Sequence, residues 1–390
     1  MQQQLRRPVW AEVNLDNLAH NIKEVRRVTK PEAMVTAVIK ADGYGHGSVE
    51  IGQTLLDNGA DRFAVATLTE AIQLRKYYKE VPILVLGYTP EEDSDEVIRH
   101  NLIQTVYAFE QAQALDRVAK ENRVKAKVHI KLDTGMGRLG LRAEKDAVIV
   151  TEYISKLGNI EIEGIYTHFA VADEVNKDYT LSQVKKYNMV IEELEALGIQ
   201  IPIKHVSNSA AIIDLPELNY NMVRAGIMLY GLYPSHDVSH ENVKLKEVMS
   251  LKARISHVKQ VGPGVGVSYG LLYTTEQDTT IGTIPLGYAD GYTRLYTGNA
   301  KAIVEGEVRP IIGRICMDQC MVDLTGLDVQ RGDEITLFGP AGGHHITIDE
   351  VASWIDTINY EVVCMISKRV PRVYKSQGEI IQIKDALLLL

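Results

Sequence analysis

The chain has 390 residues, 45% of them hydrophobic and 24% charged, a balance that excludes wholesale disorder and leaves room for two or more domains with substantial cores. Its formal net charge of −9 comes with no local basic patch, which argues against nucleic acid or an anionic membrane surface as a partner and favours small-molecule chemistry. Three cysteines, Cys316, Cys320 and Cys364, are too few for a disulfide framework, and the lone C-x-x-x-C lacks a second ligand pair for zinc, so free thiols are expected.

The opening MQQQLRRPVW has no apolar signal-peptide core and no apolar run is long enough to span a membrane, so a cytoplasmic protein is expected. The short Trp10–Val13 run is expected to join the first helix or, with the rest of residues 1–13, to pair with the second domain. From there to about residue 230, short β-branched runs alternate with segments of helical period, the rhythm of βα units. Eight strands are predicted: Val35–Ile39, Arg62–Val65, Ile83–Leu86, Ile103–Val106, Lys127–Leu132, Ile162–Tyr166, Lys204–Val206 and Met222–Arg224. Leu15, Leu18, Ile22 and Val25 share one helix face before the first strand. Val184, Tyr187, Ile191, Leu194 and Leu197 share another before Gly198 stops that helix. The pattern predicts a (β/α)8 barrel over residues 1–240, with an open doubly wound sheet as the alternative.

After Pro234 the helical period fades, and glycine-punctuated apolar strands take over: Leu251–Val258, Thr280–Leu286, Ala300–Val304, Arg309–Ile315 and Glu334–Phe338. Residues 241–390 are therefore predicted to form a second, mostly β domain. No internal repeat is visible. The closing DALLLL is too short to span a membrane and is expected to be a tail or an interface segment.

In a barrel the chemistry sits at the C-terminal strand ends, so the residues just after each strand are the candidates. The first strand runs into VTAVIKADGYGHG, where Lys40 ends an apolar run. A lysine taken out of water loses basicity and becomes a usable nucleophile or base, unless it simply snorkels to solvent. Lys131 lies near the end of the fifth strand, with Asp133 and Arg138 beyond it, and His168 follows the sixth. Ser207, Asn208 and Ser209 follow the seventh, and Arg224, Ala225, Gly226 and Ile227 the eighth. SNSA and RAGI occupy the two loops where such barrels commonly hold a phosphate, although SNSA could equally be a helix N-cap. A phosphate facing a strand-end lysine invites pyridoxal phosphate. Arg224 at the pyridine nitrogen would keep that nitrogen unprotonated, weakening the electron sink and favouring brief proton transfer; the alternative is an ordinary salt bridge at a barrel end. A metal-dependent hydrolase using His168 and His205 is disfavoured, because no H-x-H or H-E-x-x-H accompanies them, and His46 reads as structural.

These residues carry a resemblance. AVIKADGYGHG, KLDTGMGRLG, THFAVAD, SNSA, VRAGIMLYG, GVSYG, IPLGYADG, GRICMDQ and TINYEV together resemble the pyridoxal-phosphate-dependent alanine racemases of bacteria, nearly end to end. The resemblance implies a cytoplasmic isomerase that interconverts L- and D-alanine for peptidoglycan. Lys40 would be the Schiff-base lysine and the base on one face of the substrate Cα. Tyr269, from another subunit of a homodimer, would be the base on the other face, since racemisation removes a proton from one face and returns it on the opposite one. Tyr44, Asn208, Ser209, Gly226, Ile227 and Tyr360 would gather around the phosphate, with Arg224 on the pyridine nitrogen. His168 would bridge Arg224 and Tyr269, and Arg138 would reach the cofactor's phenolic oxygen and the substrate carboxylate. Met317 and Tyr288 of the partner would line a narrow way in, with Arg314 further out. Lys131 would be carbamylated and hold the nearby arginine; its alternative is a pair with Asp133. Racemases of broader specificity, acting on serine or lysine, and a decarboxylase of the same two-domain plan are the competing activities. Arg224 argues against the decarboxylase, which wants an acid at the pyridine nitrogen. A non-catalytic pyridoxal-phosphate-binding protein would need only the barrel.

Overall fold

The computed structural model describes residues 5–388; Leu389 and Leu390 of the leucine-rich tail lie outside the described residues. The chain forms two compact units. One contains residues 18–43 and 48–246, and the other contains the chain up to Asn17, Tyr44–Gly47 and the chain from Glu247 on.

The strand nearest the N-terminus, β1 (Val9–Asn14), belongs to the second of these. The first is the barrel, built on β2 (Met34–Val38), β3 (Arg62–Val65), β4 (Ile83–Val85), β5 (Ile103–Val106) and β6 (Ala126–Asp133). After a two-residue β7 (Leu141–Arg142) beside β6 come β8 (Ile160–Tyr166), β9 (Ile203–His205) and β10 (Met222–Ala225). The main strands pair in parallel in the order β10-β2-β3-β4-β5-β6-β8-β9. No ladder joins β9 to β10 among the described residues. Two backbone bonds close the gap instead, Asn221 N–H to the Lys204 carbonyl and Arg224 N–H to the Ser207 carbonyl, both 3.0 Å. The barrel expected from the sequence is thus present. β3, β4, β5 and β10 are buried throughout, which is why apolar and β-branched residues dominate them without strict alternation; Arg62, Gln104 and Arg224 are the buried exceptions.

Helices cover the outside. Leu18, Ile22 and Val25 of helix Leu15–Val28 are fully buried, as their spacing predicts. In helix Asp178–Ala196, Val184, Tyr187, Ile191 and Leu194 are buried, but Leu197 is 53% exposed. It lies just beyond the last helical turn, where the chain turns through Gly198 at φ +79, so it leaves the packed face.

β6 and β8 pair out of step. Val128 opposes Ile162, but His129 opposes Gly164, so Glu163 is an extra residue on β8, a β-bulge. A bulge re-aims the chain, and here the inserted residue is a buried carboxylate. Gly164 is required at the same point: a Cβ there would sit 2.6 Å from the His129 ring.

The other unit is a mostly antiparallel β structure. Its strands after the barrel are β11 (Met249–Arg254), β12 (His257–Val261), the short hairpin β13 (Gly266–Val267) and β14 (Tyr273–Thr274), β15 (Thr279–Ile284), β16 (Lys301–Val304) and β17 (Glu307–Ile312). β18 (Cys320–Asp323), β19 (Glu334–Ala341), β20 (His344–Ile346), β21 (Arg372–Ser376) and β22 (Glu379–Lys384) follow. β1 pairs antiparallel with β11 and parallel with β21, so the N-terminal strand sits inside this sheet. The predicted strand Leu251–Val258 is two strands, because the chain turns at Ile255–Ser256: β11 pairs with β19, and β12 with β15.

The candidate active site

Lys40 follows β2, and the three residues after it adopt a conformation that L-residues avoid. Ala41, Asp42 and Gly43 all lie in the left-handed region, at φ 53, 53 and 64. One such residue costs about 1–2 kcal/mol, so the turn persists only because it is tied down. Gly43 N–H donates to the Ile39 carbonyl at 2.9 Å, Ala41 N–H to Glu70 Oε1 at 2.6 Å, and Asp42 Oδ1 accepts from Ser48 N–H at 3.0 Å.

Arg224, at the end of β10, is 4% exposed and spends its donors on neutral acceptors. Nη1 donates to His205 Nδ1 at 2.9 Å; Nη2 donates to the Thr167 and Val206 carbonyls at 2.9 and 3.0 Å and to His168 Nδ1 at 3.3 Å. Burial lowers the guanidinium to about 10, so it stays charged at neutral pH. The same burial, reinforced by the Arg224 charge, pushes both His168 and His205 well below their usual range, so both are neutral. Lys40 is near enough to add to the positive field on His168.

Lys131 is 5% exposed in β6 and donates to the Leu132 carbonyl at 2.8 Å. Burial and the Arg224 charge lower its amine to about 7, with Asp133 opposing and Arg138 assisting. Among the described residues no carboxylate lies within ion-pair distance of Lys131 or Arg224. Asp133 instead caps its own loop, accepting from Gly135 and Gly137 N–H at 3.0 Å each. That loop ends at Gly140, φ +134, where a Cβ would lie 2.4 Å from Asp133 N. Gly140→Ala is therefore expected to destabilise the fold by at least about 1–3 kcal/mol, read as a lower thermal unfolding midpoint.

SNSA and RAGI meet, and Asn208 of SNSA is a helix cap. Asn208 Oδ1 accepts from Ala211 N–H at 3.0 Å, while Ser209 Oγ accepts from Gly226 N–H at 3.0 Å and Met228 N–H at 3.5 Å. A hydroxyl that accepts these bonds still has its own hydrogen to donate. Ile227 is buried directly after Gly226. A buried guanidinium lacking a carboxylate, at the end of the strand that runs into the Gly226 and Met228 amides on Ser209, fits an anionic group such as a phosphorylated cofactor.

Tyr44, Tyr269, Tyr288, Arg314, Met317 and Tyr360 belong to the β unit. Four of them share one platform. Tyr269 sits in the loop between β13 and β14, and Ser268 before it donates to the Arg314 carbonyl at 2.6 Å. Gly270 leaves room for the Arg314 guanidinium, which a Cβ would approach to 2.6 Å. Tyr288 and Ala289 N–H donate to the Cys316 and Met317 carbonyls, both at 3.0 Å. The buried Asp290 steadies this loop, accepting from both Nη atoms of Arg7 at 2.7 Å and from Gly287 N–H at 3.1 Å. Tyr269, Met317 and Tyr288 remain 68%, 53% and 42% exposed, an apolar group presented outward. Tyr44 and Tyr360 lie together with ring centroids 6.2 Å apart, and burial raises the Tyr44 phenol. His46 is fully buried and structural: Nδ1 bonds the Tyr44 carbonyl, and its own carbonyl accepts from Tyr374 Oη, both at 2.9 Å. The cysteines are free, and no cluster of metal-ligating side chains occurs among the described residues. No helix among them is long and apolar enough to cross a membrane.

Sequence reasoning missed His129, Glu163 and Arg62, which connect to Arg224 through His205 inside the barrel. The available signal was the spacing in KVHIKLD, which puts His129 on the same strand face as Lys131.

A barrel with buried cations at its strand ends, followed by a β unit presenting a tyrosine platform, defines a two-domain enzyme of the barrel-plus-β class. Residues 13–234 match the family model "Alanine racemase, N-terminal domain" and residues 248–374 match "Alanine racemase, C-terminal domain". Alanine racemase 1 of Clostridium acetobutylicum is 48% identical over 97% of this chain and 98% of its own length. Alanine racemase of Methanococcus maripaludis is 49% identical over 94% and 98%. Among solved structures, alanine racemase of Clostridium difficile 630 superposes with a TM-score of 0.96 at 47% identity, covering 99% of this chain and 100% of that one. Alanine racemase of Bacillus anthracis, solved with bound L-Ala-P, gives 0.93 at 35% identity, covering 99% of each chain. The chain belongs to the alanine racemase family, and its activity is the racemisation of alanine.

Proposed function

We propose that the chain interconverts L- and D-alanine with pyridoxal 5′-phosphate by a two-base mechanism, as a cytoplasmic homodimer that supplies D-alanine for peptidoglycan. The observation that carries this is the buried Arg224 guanidinium and the buried Lys131 amine, neither with a carboxylate within ion-pair distance, near the strand-end Lys40 and the Ser209–Gly226 pair. The cofactor, when bound, supplies the electron sink that acidifies the substrate Cα–H. Asn208, Ser209, Gly226, Ile227, Tyr44 and Tyr360 hold its phosphate. Arg224 presents a fixed cation to the ring nitrogen and keeps it unprotonated. Arg138 binds the phenolic oxygen and the substrate carboxylate, and His168 links Arg224 toward the second base. Lys40 moves a proton on one face of Cα, and Tyr269 of the partner subunit moves one on the other. Tyr288 and Met317 of the partner subunit narrow the way in, with Arg314 further out. A coupled assay of D-alanine formed from L-alanine tests the activity. Absence of turnover there, with turnover on serine or lysine, would move the substrate assignment.

Lys131 is carbamylated in this reading. An amine lowered to about 7 is about half neutral at neutral pH, so its lone pair can add to carbon dioxide, with loss of a proton, to give an anion near Arg138 and Arg224. Intact-mass measurement under native conditions should show one added carbon dioxide, lost in Lys131→Met. That variant is expected to lose roughly tenfold to hundredfold in kcat/KM, the value of one hydrogen bond to a charged group. Protein stripped of the modification gives a second signature. Its stability should rise as pH climbs from about 7 toward 10.5, because the unfolded chain still binds the proton that the folded Lys131 has released. The modified protein lacks that slope in urea unfolding.

A further inference from the structure

Behind Arg224 a chain of buried polar groups runs through the barrel. Arg224 Nη1 meets His205 Nδ1 at 2.9 Å, His205 Nε2 meets His129 Nδ1 at 2.9 Å, and His129 Nε2 meets Glu163 Oε2 at 2.8 Å. Both imidazoles are fully buried. A guanidinium can only donate, so His205 Nδ1 must accept and its proton must be on Nε2. That proton goes to His129 Nδ1, which places the His129 proton on Nε2, pointing at the carboxylate. The direction of every bond is fixed by its first member.

We infer that Glu163 is the remote counter-ion of Arg224, a positioning residue that acts through the one-way donor chain Arg224→His205→His129→Glu163. The bulge that inserts Glu163 and the absent Cβ of Gly164 are the local features that bring carboxylate and imidazole together. Tyr166 locks the middle of the chain: its ring stacks on His205 at 4.6 Å and 9°, its hydroxyl meets Thr105 Oγ1 at 2.9 Å, and the Arg224 guanidinium lies 5.2 Å over its face. Burial works to raise the Glu163 carboxyl, but the bond from His129 and the Arg62 charge overcome it and hold it at about 2. Arg62 lies 2.9 Å and Lys127 3.3 Å from the same carboxylate. The chain therefore couples two positive groups at one end of the barrel to Arg224 at the other, through two neutral rings. A direct carboxylate beside Arg224 would cancel its charge; one placed two rings away orients it and leaves the charge facing forward.

The link to catalysis rests on the reading that Arg224 faces the cofactor, whereas the protonation pattern does not. Neutron diffraction from crystals of the full-length protein should show one deuteron on Nε2 of both His129 and His205, and none on either Nδ1. A deuteron on either Nδ1 overturns the chain. In Glu163→Gln the amide oxygen still accepts from His129, so shape is kept and charge is lost. The groups facing the cofactor end are then Arg224, Lys131, Arg138, Lys40 and neutral His168, with less negative charge behind them. The pH midpoint of the bound cofactor's absorbance change should fall by about half a unit or more, and Glu163→Asp should recover part of that. An unchanged midpoint in a folded Glu163→Gln protein overturns the counter-ion role. Wild-type protein without cofactor absorbance would sink the cofactor assignment, while the deuteron map would still decide the chain.

Discussion

Lys40→Ala is expected to abolish racemisation in both directions, with a loss on the order of 10³-fold or more, because in the proposed mechanism the variant lacks both the amine that would carry the cofactor and one of the two bases. The expected spectral result is specific. Cofactor added to Lys40→Ala should remain free of covalent attachment and be unaffected by borohydride, whereas in the wild type reduction should fix it to the chain. Lys40 is partly buried, and the turn after it is held by Glu70, Ser48 and the Ile39 carbonyl, so the fold is expected to survive the substitution, which a thermal unfolding midpoint checks. Retained covalent cofactor in Lys40→Ala would move the assignment to another amine, of which Lys131 is the buried candidate.

Tyr269→Phe should separate the two directions. If each base serves one face of Cα, loss of the phenol removes proton exchange for one enantiomer and leaves exchange by Lys40 on the other. Deuterium wash-in should then fall by roughly 10²–10⁴-fold for one enantiomer only. Equal loss for both would sink the two-base assignment. The residue is well suited to a clean test, since it is 68% exposed and its removal leaves no cavity in this unit's core.

The barrel was legible because its strands are short, mostly buried on both faces and bounded by helices of clear period, so local composition carries them. Residues at the strand ends were legible for the same reason: finding the strand finds its C-terminal end. The β unit was read less completely. β12 hid inside a run that also contains β11, and β21 and β22 pair with β1 and with one another, partners far away in sequence or invisible in an exposed pattern. The Glu163 chain lay beyond reach for a third reason. Its members come from β6, β8, β9 and β10, and their meeting depends on a register shift that no local pattern announces. SNSA has two structural uses: Asn208 caps the helix while Ser209 accepts from the Gly226 amide of RAGI.

Strand side chains alternate with period two, and the bulge in β8 breaks that alternation once, so that Glu163 reaches the His129 ring while Gly164 stays opposite His129. Deleting Glu163 would let the ladder run on unbroken, with Gly164 still opposite His129 and Tyr166 still opposite Lys131, and His129 would lose its carboxylate. A deletion at the bulge should therefore cost the polar chain behind Arg224 more than it costs the barrel, because the extra length of β8 serves the carboxylate rather than the strand pairing.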